Sequence, residues 1–226
     1  MSRPKALVAW SSGKDSAWSL HEVLRAGELE VVGLLTTVTS EFGRVSMHAV
    51  REALLDAQAA ALGLPCRKVR IPWPCPNDAY EREMAAAVAE ARAAGVTRIV
   101  FGDLFLADIR AYREERLAGT GVAPVFPLWG RETALLAREM IAGGLVATLT
   151  CVDPRRLDRA LAGRPFDAAL LAALPAGVDP CGENGEFHTF VSAGPMFRAP
   201  LEVVGGEVVE REGFVFADVL PRPEAG

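Results

Sequence analysis

The strongest constraint on the fold is a junction near the N-terminus. A short, wholly apolar run, Ala6-Leu7-Val8-Ala9-Trp10, passes through a polar, Gly-containing turn, Ser11 to Asp15, straight into a segment with helical periodicity. The run is too short for a helix and too uniform for a strand with one wet face, so it predicts a parallel strand buried on both sides. From Ser16 to Arg25, Ala17, Leu20, Val23 and Leu24 recur at helical spacing, and Gly27 stands where a left-handed C-terminal cap belongs.

The pattern then repeats. Val31 to Val38 predicts a second strand, and Val50, Leu54, Leu55 and Leu62 mark a helix that Gly63 and Pro65 end. Cys66 to Ile71 is a weaker strand, Ala79 to Ala94 a third helix stopped by Gly95, and Thr97 to Phe101 the next strand. The helix from Leu104 to Ala118 leads into a Pro-broken stretch, Pro124 to Trp129, then another helix and a strand from Leu145 to Cys151. In the last third, Asn184-Gly185 and Gly205-Gly206 are two-residue hairpin signals. The fold class is α/β: a Rossmann-like parallel sheet with helices on both faces, plus a smaller α+β C-terminal domain with hairpins, the boundary falling near residue 120.

Composition removes several function classes. Lys and Arg number 24 against 29 Asp and Glu, a net charge of -5, which argues against a nucleic-acid partner. No apolar run approaches the roughly 18 residues of a spanning helix, and the N-terminal run is too short for a signal peptide. No membrane partner is therefore expected, and the expected location is cytoplasmic. Cys66, Cys75, Cys151 and Cys181 form no C-x-x-C pair, so free, mostly buried thiols are predicted rather than a zinc or dithiol centre. Among the 24 basic residues only Lys5, Lys14 and Lys68 are lysines, and an ammonium inside a Gly-containing turn asks for a reason.

The turn Ser11-Ser12-Gly13-Lys14-Asp15-Ser16 places backbone N–H groups and the positive end of a helix at the carboxyl edge of the sheet, where an anion belongs. The three serines add hydroxyls, Gly13 permits close approach, and Lys14 adds a point charge. It is not a Walker loop, because Val8 occupies the position of the first glycine and Asp15 follows the lysine; a kinase or GTPase reading loses support. The bland alternative is an ordinary strand–helix turn capped by Ser or Asp, and the conjunction of strand, lysine and helix favours phosphate over it. A second cluster runs from Asp179 to Thr189. Asn184-Gly185 asks for a tight turn, and alternation after it would set Glu186 and His188 on one face and Phe187, Thr189 and Val191 on the other. Glu183, Glu186 and His188 would then share a rim able to bind magnesium, position an amine or act as an acid–base pair, unless the segment is merely a solvated hairpin. Gly102-Asp103 ends a strand at the same ligand-binding edge, whereas His21, inside a helix, reads as structural.

With these residues in view, the segment 11–16 resembles the pyrophosphate loop (PP-loop) of the ATP pyrophosphatase superfamily, Ser-Gly-Gly-x-Asp-Ser. Ser11, Gly13, Asp15 and Ser16 match, and Ser12 stands in place of the first glycine. The segment 179–189 resembles the Gly-Glu-x-Gly-Glu-(Phe/Tyr)-x-Thr signature of the diphthine-ammonia ligase family, a branch of that superfamily. Gly102-Asp103, then Asp108, Arg110, Tyr112 and Arg113, and Phe126-Pro127-Leu128-Trp129 extend the likeness. Ser46-Met47-His48 and the positions of Asn184 and His188 are most similar to the bacterial-type branch.

The resemblance implies a HUP-type sheet of the adenine nucleotide α-hydrolase kind, with residues 1–120 as the ATP-binding PP-loop domain and residues 121–226 as the substrate-binding domain. ATP would be held by Ser11, Ser12, Gly13, Lys14, Asp15, Ser16, Gly102 and Asp103, with Mg2+ on Asp15 and Asp103. The implied activity is an ATP-dependent amide ligase that adenylates a carboxylate, releasing pyrophosphate, and transfers the acyl group to ammonia. Lys14, Asp15, Glu183, Glu186 and His188 would be catalytic; Asn184, Thr189, Arg110, Arg113 and His48 would bind the substrate, a small-molecule or protein-borne carboxylate. Lys14, taken as an exposed loop lysine, should be removable without harm to the fold. The alternatives are an ATP- or AMP-binding sensor without turnover, and a tRNA-modifying PP-loop enzyme, against which the acidic balance and the missing Cys pairs count. An exposed edge in the C-terminal hairpins would suit a homodimer.

Overall fold

A computed structural model describes residues 2–45 and 50–223. The first half alternates as expected: β1 (Lys5–Ala9), α1 (Lys14–Ala26), β2 (Glu30–Thr39), a two-residue β3 (Arg44–Val45), α2 (Glu52–Leu62), β4 (Cys66–Ile71), α3 (Asn77–Ala93), β5 (Val96–Val100), α4 (Ala107–Leu117) and β6 (Ala123–Val125). β4, β2, β1, β5 and β6 pair in parallel in that order, while β3 folds back antiparallel on the end of β2. Successive residues of β1 face opposite ways. Ala6 and Val8 join a core with residues of α1, α2 and α5 (Thr133–Ala142), whereas Leu7 joins a second core with α3 and Leu117. Helices therefore cover both faces, which is why β1 must be apolar throughout.

Of the remaining elements, β7 (Val146–Val152), β8 (Phe187–Ala193), β9 (Val203–Arg211) and β10 (Phe214–Pro221) build an antiparallel sheet of order β8-β7-β10-β9, with a 3-10 turn (Arg159–Leu161) and α6 (Ala168–Ala173) between β7 and β8. Its inner residues Leu149, Val152, Phe187, Phe190 and Val191 merge with the core on the α1 side of the parallel sheet, so the two sheets share buried apolar surface.

Both expected hairpins need correction. Gly205 and Gly206 lie inside β9 rather than at a turn, and the chain reverses at Glu212-Gly213, both with positive φ, between the paired residues Arg211 and Phe214. Gly206 is used for close approach, since a Cβ there would meet the Cβ of Asp218 at 3.1 Å. Asn184-Gly185 does form a turn, but no strand precedes it; β8 pairs instead with β7. A Gly pair marks a hairpin only if the flanking segments pair with each other, and that depends on partners far away in sequence.

Candidate active site

The loop from β1 to α1 is built largely from its own polar atoms. Ser16 Oγ donates to the Gly13 carbonyl at 2.9 Å, the Ser11 amide donates to Ser16 Oγ at 3.3 Å, and the two hydroxyl oxygens lie 3.2 Å apart. No side chain caps α1 at Gly13, although the Lys14 amide donates to Thr189 Oγ1 at 3.1 Å. Hydroxyls take the first amides instead, Thr189 Oγ1 that of Lys14 and Ser11 Oγ that of Gly13 at 3.3 Å, so no acidic side chain of the loop closes the positive helix end. Gly102 presses on it from the end of β5: a Cβ would lie 2.9 Å from the Asp15 carbonyl carbon and 3.0 Å from the Ser16 amide nitrogen. Ser12 adopts φ 69° and is fully enclosed, its carbonyl accepting from the Val191 amide at 2.9 Å and from Gln58 Nε2 at 3.2 Å.

Beside this loop, over the carboxyl ends of β1, β2 and β5, lies a cleft of about 740 Å³. Trp10 and Ser11 contribute to its wall from the loop side, Thr36 and Thr37 from β2, Tyr80 from α3 and Tyr112 from α4. The carboxyl edge of a parallel sheet is where ligands of such folds sit, because strand ends and helix starts meet there with their polar groups unpaired.

Lys14 is the main correction. It is only 2% exposed. Its Nζ reaches both Asp15 carboxylate oxygens, at 2.9 and 2.8 Å, donates to the Cys181 carbonyl, and lies 5.4 Å from the centre of the Phe187 ring. The reason is tertiary: the first turn of α1 packs on β8 and on the turn before it, which covers the side chain. Burial works against the charge, but Asp15 beside it wins and shifts the Lys14 pKa upward, so the ammonium persists.

The 179–189 segment divides into parts that meet this loop and parts that do not. Glu183 Oε1 accepts from the Leu104 amide at 2.7 Å, which fastens the turn to the end of β5. Burial pushes its carboxyl up to about 7; the Leu104 amide pulls it down, and the nearby Asp15 and Asp103 carboxylates push it further up. Glu186 does not stand on a rim. It is fully enclosed, with Oε1 accepting from the Asp179 amide and from Asn184 Nδ2, both at 3.1 Å. Strand alternation begins at Phe187, so it cannot place Glu186, which still belongs to the turn. His188 keeps some exposed surface, yet desolvation of the ring, aided by the Lys14 charge, lowers its pKa to about 4. The imidazole is therefore neutral at neutral pH.

Lys14, Asp15, Thr189 and Glu183 gather at the start of α1. Asp103 grips Arg113 through two bonds of 2.6 and 3.0 Å, and Arg113 lines the cleft with its guanidinium over Phe101. Arg110 is directed elsewhere: it lies 4.9 and 4.7 Å from the Phe126 and Trp129 rings and pairs with Glu114, outside the cleft lining. His48, with Ser46 and Met47, lies outside the described residues. For magnesium, Asp15 and Asp103 are each held by a cation, and among the described residues no group of three His, Cys, Asp or Glu could hold a metal ion. Sequence reading missed Gln58, a fully buried side chain that binds Trp10 Nε1, the Ser12 carbonyl and the Val191 carbonyl. Its signal was a polar residue in phase with Leu54, Leu55 and Leu62 on the apolar face of α2.

Residues 4–122 match the family model described as the diphthamide synthase N-terminal domain, and residues 132–219 match that of the diphthamide synthase C-terminal domain. The chain belongs to the diphthamide synthase family. Among curated relatives, the diphthine–ammonia ligases of Bos taurus and Homo sapiens are each 29% identical over 245 residues, covering 96% of this chain and 88% of the relative. The diphthine–ammonia ligase of Schizosaccharomyces pombe is 32% identical over 87 residues, 37% of this chain and 14% of that protein. The likeness read from the two motifs thus extends along nearly the whole chain. Among the described residues no helix is long and apolar enough to cross a membrane.

Proposed function

We propose that this chain is an ATP-dependent ligase that adenylates a carboxylate and passes the acyl group to ammonia, an amidation of the kind named in its relatives. The observation that carries the reading is the Gly-containing start of α1, which carries no acidic cap, beside a cleft of about 740 Å³, with Ser11 in the cleft wall. That size suits a nucleotide, since small-molecule sites run to about 300–1,000 Å³. In the first step a carboxylate oxygen attacks the α-phosphorus, the bond to the β-bridging oxygen breaks, and pyrophosphate leaves. In the second, ammonia attacks the acyl carbon, AMP departs with the carbon–oxygen electron pair, and one proton is lost.

The loop amides and serine hydroxyls face the phosphates in this scheme, each well-placed donor contributing about 3 kcal/mol once charge develops on the departing pyrophosphate. Lys14 fixes the helix start and adds its charge behind it. Glu183, with a carboxyl pKa of about 7, takes the proton that ammonia sheds, a task for which a group titrating near neutrality is suited. His188, neutral, offers hydrogen bonds rather than acid, and Arg113 at the cleft wall holds the carboxylate partner. Residues 1–120 serve the nucleotide and residues 121–226 the small-molecule or protein-borne carboxylate. Mg2+ held by Asp15 and Asp103 would have to draw the two carboxylates away from Lys14 and Arg113, to which each is bonded.

The test is product analysis of magnesium-ATP incubated with the protein, ammonium and a pool of carboxylic acids. AMP and pyrophosphate are expected, and ADP with phosphate would refute the loop assignment. A second reading, a nucleotide sensor without turnover, draws on one observation: the sole cation of the loop is engaged by Asp15 and the Cys181 carbonyl. ATP binding with no products under any acid would favour it.

A further inference from the structure

Glu186 stands in the second motif, yet it lines no part of the cleft and is fully enclosed. Among the described residues its Oε2 is one of three buried side-chain oxygens without a hydrogen-bond partner. Burying a carboxylate is costly unless its bonds offset the lost water, so its place inside the turn asks for a reason.

The other oxygen supplies that reason. Oε1 accepts from the Asp179 amide and from Asn184 Nδ2, both at 3.1 Å, and the Glu186 carbonyl accepts from the Asp153 amide at 2.9 Å just past the end of β7. Asn184 is exposed as a residue but spends its amide inward on this oxygen. Asp179 passes the order on: its Oδ2 accepts from the Glu183 amide at 2.9 Å and its carbonyl from the Gly182 amide at 2.8 Å. The turn is thus wrapped around one carboxylate oxygen, and from it the Cys181 carbonyl reaches Lys14 and Glu183 Oε1 reaches the Leu104 amide. Arg156 Nη2 stands 3.6 Å from Glu186 Oε1, too far for a hydrogen bond, so what the turn uses is an acceptor at a given distance more than a charge in a pair.

We propose that Glu186 is a positioning residue for the reaction: Oε1, through its reach as an acceptor rather than through its charge, folds the turn 179–186 so that Glu183 meets the Leu104 amide past the end of β5. This rests on the ligase reading for the task of Glu183 and adds what holds that group in place. Of the two motif glutamates, one then works on the substrate and the other works on the first.

The test separates charge from reach in the full chain. Glu186→Gln keeps an oxygen at the same distance without the charge, whereas Glu186→Asp keeps the charge on a side chain too short to meet both donors. The readouts are hydrogen exchange of the Leu104 amide, with the amides of β5 as internal reference, and the rate of AMP formation from magnesium-ATP, ammonium and the pool of carboxylic acids. Glu186→Asp should speed Leu104 exchange about tenfold relative to β5 and slow AMP formation on the order of 100-fold, the lower end of what a placed general base contributes. Glu186→Gln should restore most of both. Should Glu186→Asp not fold, Asn184→Ala, at an exposed position, removes one donor from the same oxygen and should speed Leu104 exchange by a smaller factor. Glu186→Gln as impaired as Glu186→Asp would overturn the inference, because the site would then need the charge; so would Leu104 exchange that none of the variants alters. A wild-type chain that forms no AMP would overturn the ligase reading, and the exchange of Leu104 would still decide whether Glu186 seats Glu183.

Discussion

The parallel and antiparallel sheets contribute to one site by different means. The parallel sheet supplies backbone geometry: strand ends, the start of α1, and an open cleft lined by Ser11, Tyr80 and Arg113. The antiparallel sheet and its preceding turn supply the groups that brace that geometry from behind. The Cys181 carbonyl receives Lys14 Nζ, Thr189 Oγ1 receives the Lys14 amide, and Glu183 receives the Leu104 amide. Much of the second motif is therefore the wall against which the first motif is built. A charged residue at a motif position can serve the ligand or the seam between two sheets, and its chemical type alone does not separate the two.

Breaking the seam should have the largest effect. Lys14→Ala strands the Asp15 carboxylate and the Cys181 carbonyl without their ammonium, and should cost about 3–5 kcal/mol in urea unfolding. The double variant Lys14→Met with Asp15→Asn should recover much of it, and a wild-type midpoint for Lys14→Ala would show that the seam bears no weight. Next comes acid. The His188 pKa falls from 6.5 to about 4 on folding, so below 6.5 the unfolded chain binds the proton first. The stability this group contributes is fully present above that pH and is lost as pH falls towards 4, up to about 3 kcal/mol. His188→Gln should flatten that loss in a pH series of unfolding midpoints.

Glu183 runs the other way. Its pKa rises from 4.5 to about 7 on folding, so the unfolded chain releases the proton first, and the penalty grows from pH 4.5 and is complete above 7. Discounted for partial solvent exposure, Glu183→Gln should stabilise the protein by about 1–2 kcal/mol at pH 8 and by almost nothing at pH 4. The opposite slopes of Glu183 and His188 overlap between those limits, and removing either should expose the other. The smallest effect belongs to Asp218 of β10, which bonds Arg44 and Arg51 of the parallel half at about 3.0 Å. Asp218→Asn should cost about 1 kcal/mol or less and fade with added salt, because these ion pairs meet solvent.

Much of the fold was legible because its signals are local. The β4 bounds, Cys66–Ile71, agree with those read from the sequence, and Gly27 and Gly63 take the left-handed caps, φ 68° and 67°, that their positions require. The phosphate loop was legible as a strand–turn–helix junction, and Gly102 as a residue at the sheet edge. What was misread depended on distant partners. Gly205-Gly206 looked like a turn until β10 supplied its register, Glu186 looked like a strand residue although the strand begins one position later, and Gln58 hid on an apolar face.

By itself, the sequence determined the alternation of strands and helices, the burial of β1 on both faces and the place where an anion can bind, since each follows from periodicity and turn chemistry within a few residues. The tertiary structure alone decided which polar groups face the cleft and which face another element. Lys14 and Cys181 are 167 positions apart. Whether an ammonium is solvated or sealed depends on what packs over it, and packing is set by the whole core rather than by the segment that carries the charge.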